Sequence, residues 1–230
     1  MKALVIVSAN AEWRVVKELY PDLILEQSPF GEFADLTLDI WHLTFFHGGW
    51  GKISAAASAQ YALDRFQPDL LVNLGTCGGF AGRIKTGTII LVEQALIYDI
   101  IEQMGDGAEA IEHYASSLDL SWLSSKLPYP VSRGLLVSAD RDIVAEDIPM
   151  LVEKYGAVAA DWESGAIAWV AQKNKTRCLI LRGVSDLVGG DGGEAYGNLE
   201  LFHQRTKMVM KQLFDQLPDW LTCIEKPVVE

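Results

Sequence analysis

Residues 178–193 read CLILRGVSDLVGGDGG. The stretch opens as an apolar run, passes through Ser185 and Asp186, and ends among glycines. A short run without polar alternation is the pattern of a strand covered on both faces. Such strands belong to parallel sheets flanked by helices, so this stretch already points to an α/β fold. The carboxylate at its end raises a second question. An aspartate there is ordinarily a cap or a turn former, and its meaning depends on what the other strands bring to the same edge.

Similar runs recur as ALVIV (3–7), IWHLTFF (40–46), LLVNL (70–74), TIILV (88–92) and GLLVS (134–138). Between them lie helical patterns: KISAAASAQYALDRF (52–66), DIPMLVEKYG (147–156), ESGAIAWVAQK (163–173) and LELFHQRTKMVMKQLFDQL (199–217). The alternation predicts one domain over residues 1–230, a three-layer αβα fold around a mostly parallel mixed central sheet. No second core, internal repeat or linker interrupts it. The polar, mixed stretch 100–130 reads as a loop or lid region, and the tail CIEKPVVE (223–230) as loosely held.

Composition narrows the function. Half of the 230 residues are hydrophobic, enough for a sizeable core. No window reaches the roughly 18 apolar residues that a membrane helix needs, and the opening MKALVIVSANAEW reads as a first buried strand rather than a signal peptide. The formal net charge of −12 repels phosphate backbones and anionic membranes. Nucleic acid and membrane are therefore not expected as partners, whereas a free nucleoside is compatible. Cys77, Cys178 and Cys223 are odd in number, and only four histidines accompany them. That suits a reducing cytoplasm, with neither a disulfide frame nor a metal site, and no cofactor is expected.

In an open α/β sheet, ligands sit at the carboxyl ends of the strands. The segments expected there are SANAEW with Glu12, GTCGGF with Thr76 and Gly78, ADRD with Asp142, DWESG with Glu163, and the Ser185-Asp186 pair. Each also has a plainer reading. GTCGGF suits a tight turn, and it is neither a Walker loop nor a dinucleotide fingerprint. Glu12 and Glu163 suit the first turns of helices, where the dipole favours negative charge. Trp50, between glycines in GGWGK, suggests contact with a ligand or a second subunit.

Taken together, NLGTCGGF (73–80), ADWESGAIAWVA (160–171) and LRGVSDLVGGDG (181–192) resemble the purine nucleoside phosphorylase/uridine phosphorylase superfamily. Within it they look most like the 5′-methylthioadenosine/S-adenosylhomocysteine nucleosidases. The resemblance implies that Glu12 positions the attacking water, that Glu163 holds the ribose hydroxyls, and that Asp186 protonates the leaving purine. It puts Thr76 beside the ribose and the water, Gly78 of the same loop among the substrate-binding residues, Trp162 where the family carries methionine, and Trp50 near the 5′ substituent. Asp142, beside Ile143, falls at the base-stacking position that is usually aromatic or apolar. Ser185 and Tyr196 complete the expected substrate-binding set. The phosphorylases carry an arginine where this chain has Asn73, and Arg14 is the nearby cation. The implied reaction is hydrolysis by water, with a homo-oligomer, a dimer above all, as the working unit. Other purine nucleosidases of futalosine or inosine type, a phosphorylase, and a silent nucleoside-binding protein are the alternatives.

Overall fold

The computed structural model describes residues 1–224. In chain order the elements are β1 (Lys2–Val7), α1 (Asn10–Leu19), β2 (Glu26–Gln27), β3 (Glu32–Leu38), β4 (Trp41–His47) and α2 (Lys52–Phe66). There follow β5 (Leu70–Phe80), β6 (Ile89–Ile97), α3 (Gly107–His113), β7 (Ser116–Ser117) and β8 (Ser132–Ser138). The last are α4 (Ile148–Tyr155), β9 (Ala157–Asp161), α5 (Ser164–Lys173), β10 (Arg177–Gly189), β11 (Gly192–Gly193) and α6 (Leu199–Thr222).

All eleven strands join one mixed sheet in the order β11-β10-β6-β8-β9-β5-β1-β4-β3-β2, with β7 on β6. Parallel ladders join β10 to β5, the longest of all, β6 to β8, and β1 to both β4 and β5. Antiparallel pairings join β6 to β10, β5 to β9 and β3 to β4. Because β10 also pairs with β5, the strands β5, β10, β6, β8 and β9 close into a ring. Side chains of these strands, among them Ile90, Leu136, Ala159 and Val184, are buried in the core.

Helices cover both faces, as the unalternating strands require. On one face α1 and α6 bury Trp13, Val16, Leu213, Phe214 and Trp220 against Val5, Phe45 and Leu181. On the other, the alanine-rich α2 and α5 press Ala55, Ala59, Ala166 and Ala171 against Ile6, Leu71 and Ile180. A third cluster, with Leu151 of α4, closes the end below β8 and β9.

Three expectations need correction. GTCGGF and SDLVG do not leave the sheet, because β5 runs to Phe80 and β10 to Gly189. Their parallel ladder continues to Phe80 opposite Val188, so pairing outlasts the apolar run that announces it. The region 100–130 is not all loop. It holds α3, capped by the Asp106 side chain, and β7, and it buries Trp122 and Leu123 in the core. Finally, α6 continues past Leu217 through Pro218 to Thr222, where the burial of Trp220 and Leu221 offsets the lost backbone bond. Of the tail, Ile224 is buried and bridges Leu123, while residues 225–230 lie outside the described residues. No described helix is long and apolar enough to cross a membrane.

Candidate active site

A cleft of about 770 Å³ opens at the carboxyl ends of β1, β5, β9 and β10, and all eleven residues singled out in the sequence line it. Its floor is ionic. Glu12 sits in the first turn of α1, where its Oε2 accepts from the Ala9 N–H (3.1 Å). Its Oε1 crosses to β5 and accepts from both the Thr76 N–H (2.6 Å) and the Thr76 hydroxyl (2.9 Å). Glu12 is thus a first-turn helix charge whose carboxylate also lines the cleft.

Sequence reasoning missed two members of this floor, Asp161 and Arg182. Arg182 is fully buried in β10, and its Nη2 lies 2.9 Å from Asp161 and 3.8 Å from Glu163. Its Nη1 is 3.9 Å from Glu12, while Nε donates to Ser164 Oγ (2.8 Å) and Nη2 to Asn73 Oδ1 (2.9 Å). Asp161 also accepts from the Ser164 N–H (3.1 Å) and the Ser138 hydroxyl (2.5 Å), capping α5 from outside. The signal was legible. A cation at the end of CLIL, in a strand covered on both faces, must have carboxylate partners. Gly75 is required by this guanidinium, since a Cβ there would stand 1.8 Å from Arg182 Nη1.

Three buried carboxylates thus share one guanidinium. Burial, and then the charge of Asp161, push the Glu163 carboxyl up to about 8. Glu163 Oε1 accepts from the Gly51 N–H (3.1 Å), which ties the floor to the loop before α2. Ionised, the floor carries more negative than positive charge and suits a ligand that is, or becomes, cationic. Asn73 is buried and neutral, donating to the Ile6 carbonyl (3.0 Å), and Arg14 is exposed on α1.

Asp186 stands on another wall. The β5–β10 register slips between Val184 and Asp186, so Ser185 is the extra residue of a bulge. Bulges re-aim side chains, and this one sends Asp186 into the cleft opposite Gly78. The Ser185 hydroxyl donates to Asp186 Oδ1 (2.7 Å). Burial holds the Asp186 carboxyl above the usual range, against the Ser185 bond and Arg205, which act downward.

The rim is aromatic and more open. Trp50 is 58% exposed, and its ring meets Trp162 at 5.5 Å between centroids. Asp142 is exposed, whereas Ile143 beside it is buried. The Tyr196 hydroxyl donates to the Ile143 carbonyl (2.9 Å), and its ring fills the space a Cβ of Gly193 would need. Burial, and then Asp142, push the Tyr196 phenol up to about 12. Phe202, at the start of α6, also lines the cleft, a contribution the helical pattern of 199–217 gave no reason to single out.

Comparison with known proteins agrees with this architecture. The family profile of the phosphorylase superfamily matches residues 14–217. The 5′-methylthioadenosine/S-adenosylhomocysteine nucleosidase of Maridesulfovibrio salexigens is 29% identical over 181 residues, covering 72% of this chain and 78% of that one. The Buchnera aphidicola enzyme of the same name is 25% identical over 198 residues, 81% of this chain and 84% of its own. Among solved structures, the Colwellia psychrerythraea nucleosidase in complex with adenine superposes with a TM-score of 0.77 at 24% identity, covering 100% of this chain and 98% of its own. That of Neisseria meningitidis with methylthio-immucillin-A gives 0.75 at 17%, over 96% and 98%. These likenesses establish a shared fold. With the profile spanning most of its length, the chain belongs to the phosphorylase superfamily, and the relatives it resembles there are 5′-methylthioadenosine/S-adenosylhomocysteine nucleosidases.

Proposed function

We propose that this protein is an N-ribosyl hydrolase that cleaves 5′-methylthioadenosine and S-adenosylhomocysteine to adenine and the free thioribose. The observation that carries the reading is the division of one cleft into an electron-rich floor around Glu12 and a separate wall holding Asp186. Breaking an N-glycosidic bond builds positive charge on the sugar and sends an electron pair to the base. The floor opposes the first charge, and a protonated Asp186 neutralises the second.

The contacts support a sequence of steps. Ala9 and Thr76 fix Glu12, and Oε2 keeps a lone pair free for one proton of a water molecule. Glu163 accepts from the ribose hydroxyls. As the C1′–N9 bond opens, Asp186 gives its proton to the purine, water adds to C1′, and Glu12 takes the proton that water loses. The raised proton affinity of Asp186 keeps it loaded nearer neutrality than an ordinary aspartate. Water rather than phosphate is the proposed nucleophile, because Asn73 supplies no charge for a dianion and Arg182 is already shared among carboxylates.

The test is base release from methylthioadenosine, adenosylhomocysteine and inosine, with and without phosphate. Adenine together with a free sugar, at a rate independent of phosphate, is the expected result; a sugar 1-phosphate overturns it. Asp142 on the rim favours a second reading, a nucleosidase for another purine nucleoside, and preference for inosine in the same panel would establish that instead. A homodimer is the proposed working unit. Ile53 (84%), Ile101 (83%) and Met104 (99%) are exposed, and the ion pair of Lys52 with Asp99 draws their segments together near Trp50. Light scattering behind a sizing column should give twice the chain mass.

A further inference from the structure

The glycine-rich return after β10 carries an ion pair that the reaction does not use directly. β11 folds back antiparallel on β10, pairing Val188 with Gly193 and Gly189 with Gly192. Gly192 sits at φ +92°, where a side chain would be strained. Just beyond it, the Glu194 N–H donates to the Leu187 carbonyl (3.0 Å), and Glu194 Oε2 accepts from the Leu187 N–H (3.3 Å). Arg205 reaches across from α6. Its Nη1 donates to Glu194 Oε2 (2.5 Å) and to the carbonyl of Ser185 (3.2 Å), the residue directly before Asp186. One guanidinium thus grips both the bulge that aims Asp186 and the hairpin that returns past it.

We propose that Glu194 and Arg205 form a latch that holds the hairpin against Asp186 and, as opposed charges, balances the field at its carboxyl group. Both are positioning residues, and the assignment rests on Asp186 being the proton donor. The pair is partly solvated, with side-chain exposures of 22% for Arg205 and 44% for Glu194, so its worth to stability is small. Its leverage is on the neighbouring carboxyl. Arg205 favours the ionised form of Asp186 and Glu194 disfavours it, while the Ala195 N–H on the hairpin bonds the ionised form. The other titratable groups near Asp186 are Cys77 from β5 and Tyr196 from the hairpin side, both neutral at pH 7. Arg141 and Asp142 line the same cleft; Arg141 is paired with Asp147, and Asp142 lies near Tyr196.

The sign follows directly. An acid catalyst works only while protonated, so kcat falls as pH rises through the pKa of Asp186. Glu194→Gln leaves Arg205 unopposed and moves that basic limb to lower pH. Arg205→Met leaves Glu194 unopposed and moves it to higher pH. Each displacement should be about half a pH unit, the scale of a screened charge a few ångströms off. A latch that served only to brace the hairpin would lower kcat or raise KM in both variants, without displacing the limb in opposite senses. Arg205→Lys keeps the charge and should keep the limb.

The experiment records kcat against pH, for whichever nucleoside of the substrate panel is turned over fastest, in the wild type, both single variants, Arg205→Lys, the double variant and Asp186→Asn. Opposite displacements that cancel in the double variant support the latch. Displacements of the same sign, or none, overturn it. If the basic limb survives in Asp186→Asn, or if no nucleoside is turned over, the acid assignment itself fails, a result distinct from failure of the latch alone.

Discussion

On the floor of the cleft, Glu12, Asp161, Glu163 and Arg182 are almost closed to solvent, and each is held by at least two partners. On the rim, Trp50 and Tyr196 are 58% and 44% exposed, Asp142 has an open carboxylate, and the hairpin is hung on glycines. The floor is over-determined and the rim is not. A buried charge tolerates little change, because an unpaired ion in the interior costs several kcal/mol, whereas an exposed side chain is replaced at little cost. The chemistry shared by a superfamily belongs on such a floor, and what distinguishes one substrate from another belongs on such a rim.

The sharpest way to break this division is to remove the proposed proton donor. Asp186→Asn keeps the shape of the wall and the Ser185 contact but carries no acidic proton. We expect kcat to fall ~10²–10⁴-fold, the usual worth of a general acid, with nucleoside affinity kept within a few-fold by calorimetry. Turnover near the wild-type rate removes Asp186 from the mechanism.

Next in size is the central cation. Arg182→Met leaves three buried carboxylates without their shared partner. Denaturant unfolding should show a loss of about 3–5 kcal/mol, the scale for breaking a buried ion pair from one side. A loss below about 1 kcal/mol, the worth of a surface pair, means that the floor is hydrated and not the rigid element argued here.

How far the sequence disclosed this division differs between the two regions. The strands that carry the floor were legible as apolar runs, and α2 and α5 as helical spacing, because burial on both faces leaves a compositional mark. Glu12, Glu163 and Asp186 were legible as charges placed after such runs. Arg182 was not singled out, although its position inside CLILR marks it, because strand reading attends to apolar continuity and passes over the exception. Asp161 was hidden for another reason: its partners, Ser138, Ser164 and Arg182, come from three other elements. The extension of β5 and β10 beyond their apolar runs depends on a long-range parallel ladder that local composition does not encode. Phe202 depends on how the start of α6 meets the cleft, and nothing in its own helix signals that.

A subtler test of the floor uses pH. Glu163 has an ordinary pKa of 4.5 when unfolded and about 8 in the fold, where burial and Asp161 favour its neutral form. Between those values the folded chain holds a proton that the unfolded chain has lost, so stability falls as pH rises through that window. Denaturant unfolding of the free protein at pH 5 and pH 8 should show this decline. Glu163→Gln, which cannot ionise, should show a shallower one, and equal slopes mean that Glu163 is ionised throughout.

The smallest expected effect lies on the rim, and its direction is what matters. Asp142, at the position the proposed reading gives to the base, is exposed, and its neighbour Ile143 is buried with its carbonyl occupied by the Tyr196 hydroxyl. An aromatic ring in place of the carboxylate offers a stacking face, worth about 1–3 kcal/mol per base in other settings, and at a half-open rim only part of that is realised. Asp142→Phe should therefore lower KM for an adenine nucleoside about 3–10-fold while leaving kcat unchanged, because the group touches neither the sugar nor the transferred proton. A change in kcat with KM constant places Asp142 in the reaction and dissolves the line between floor and rim. A rise in KM confined to one nucleoside of the panel identifies the base whose donor edge that carboxylate is there to accept.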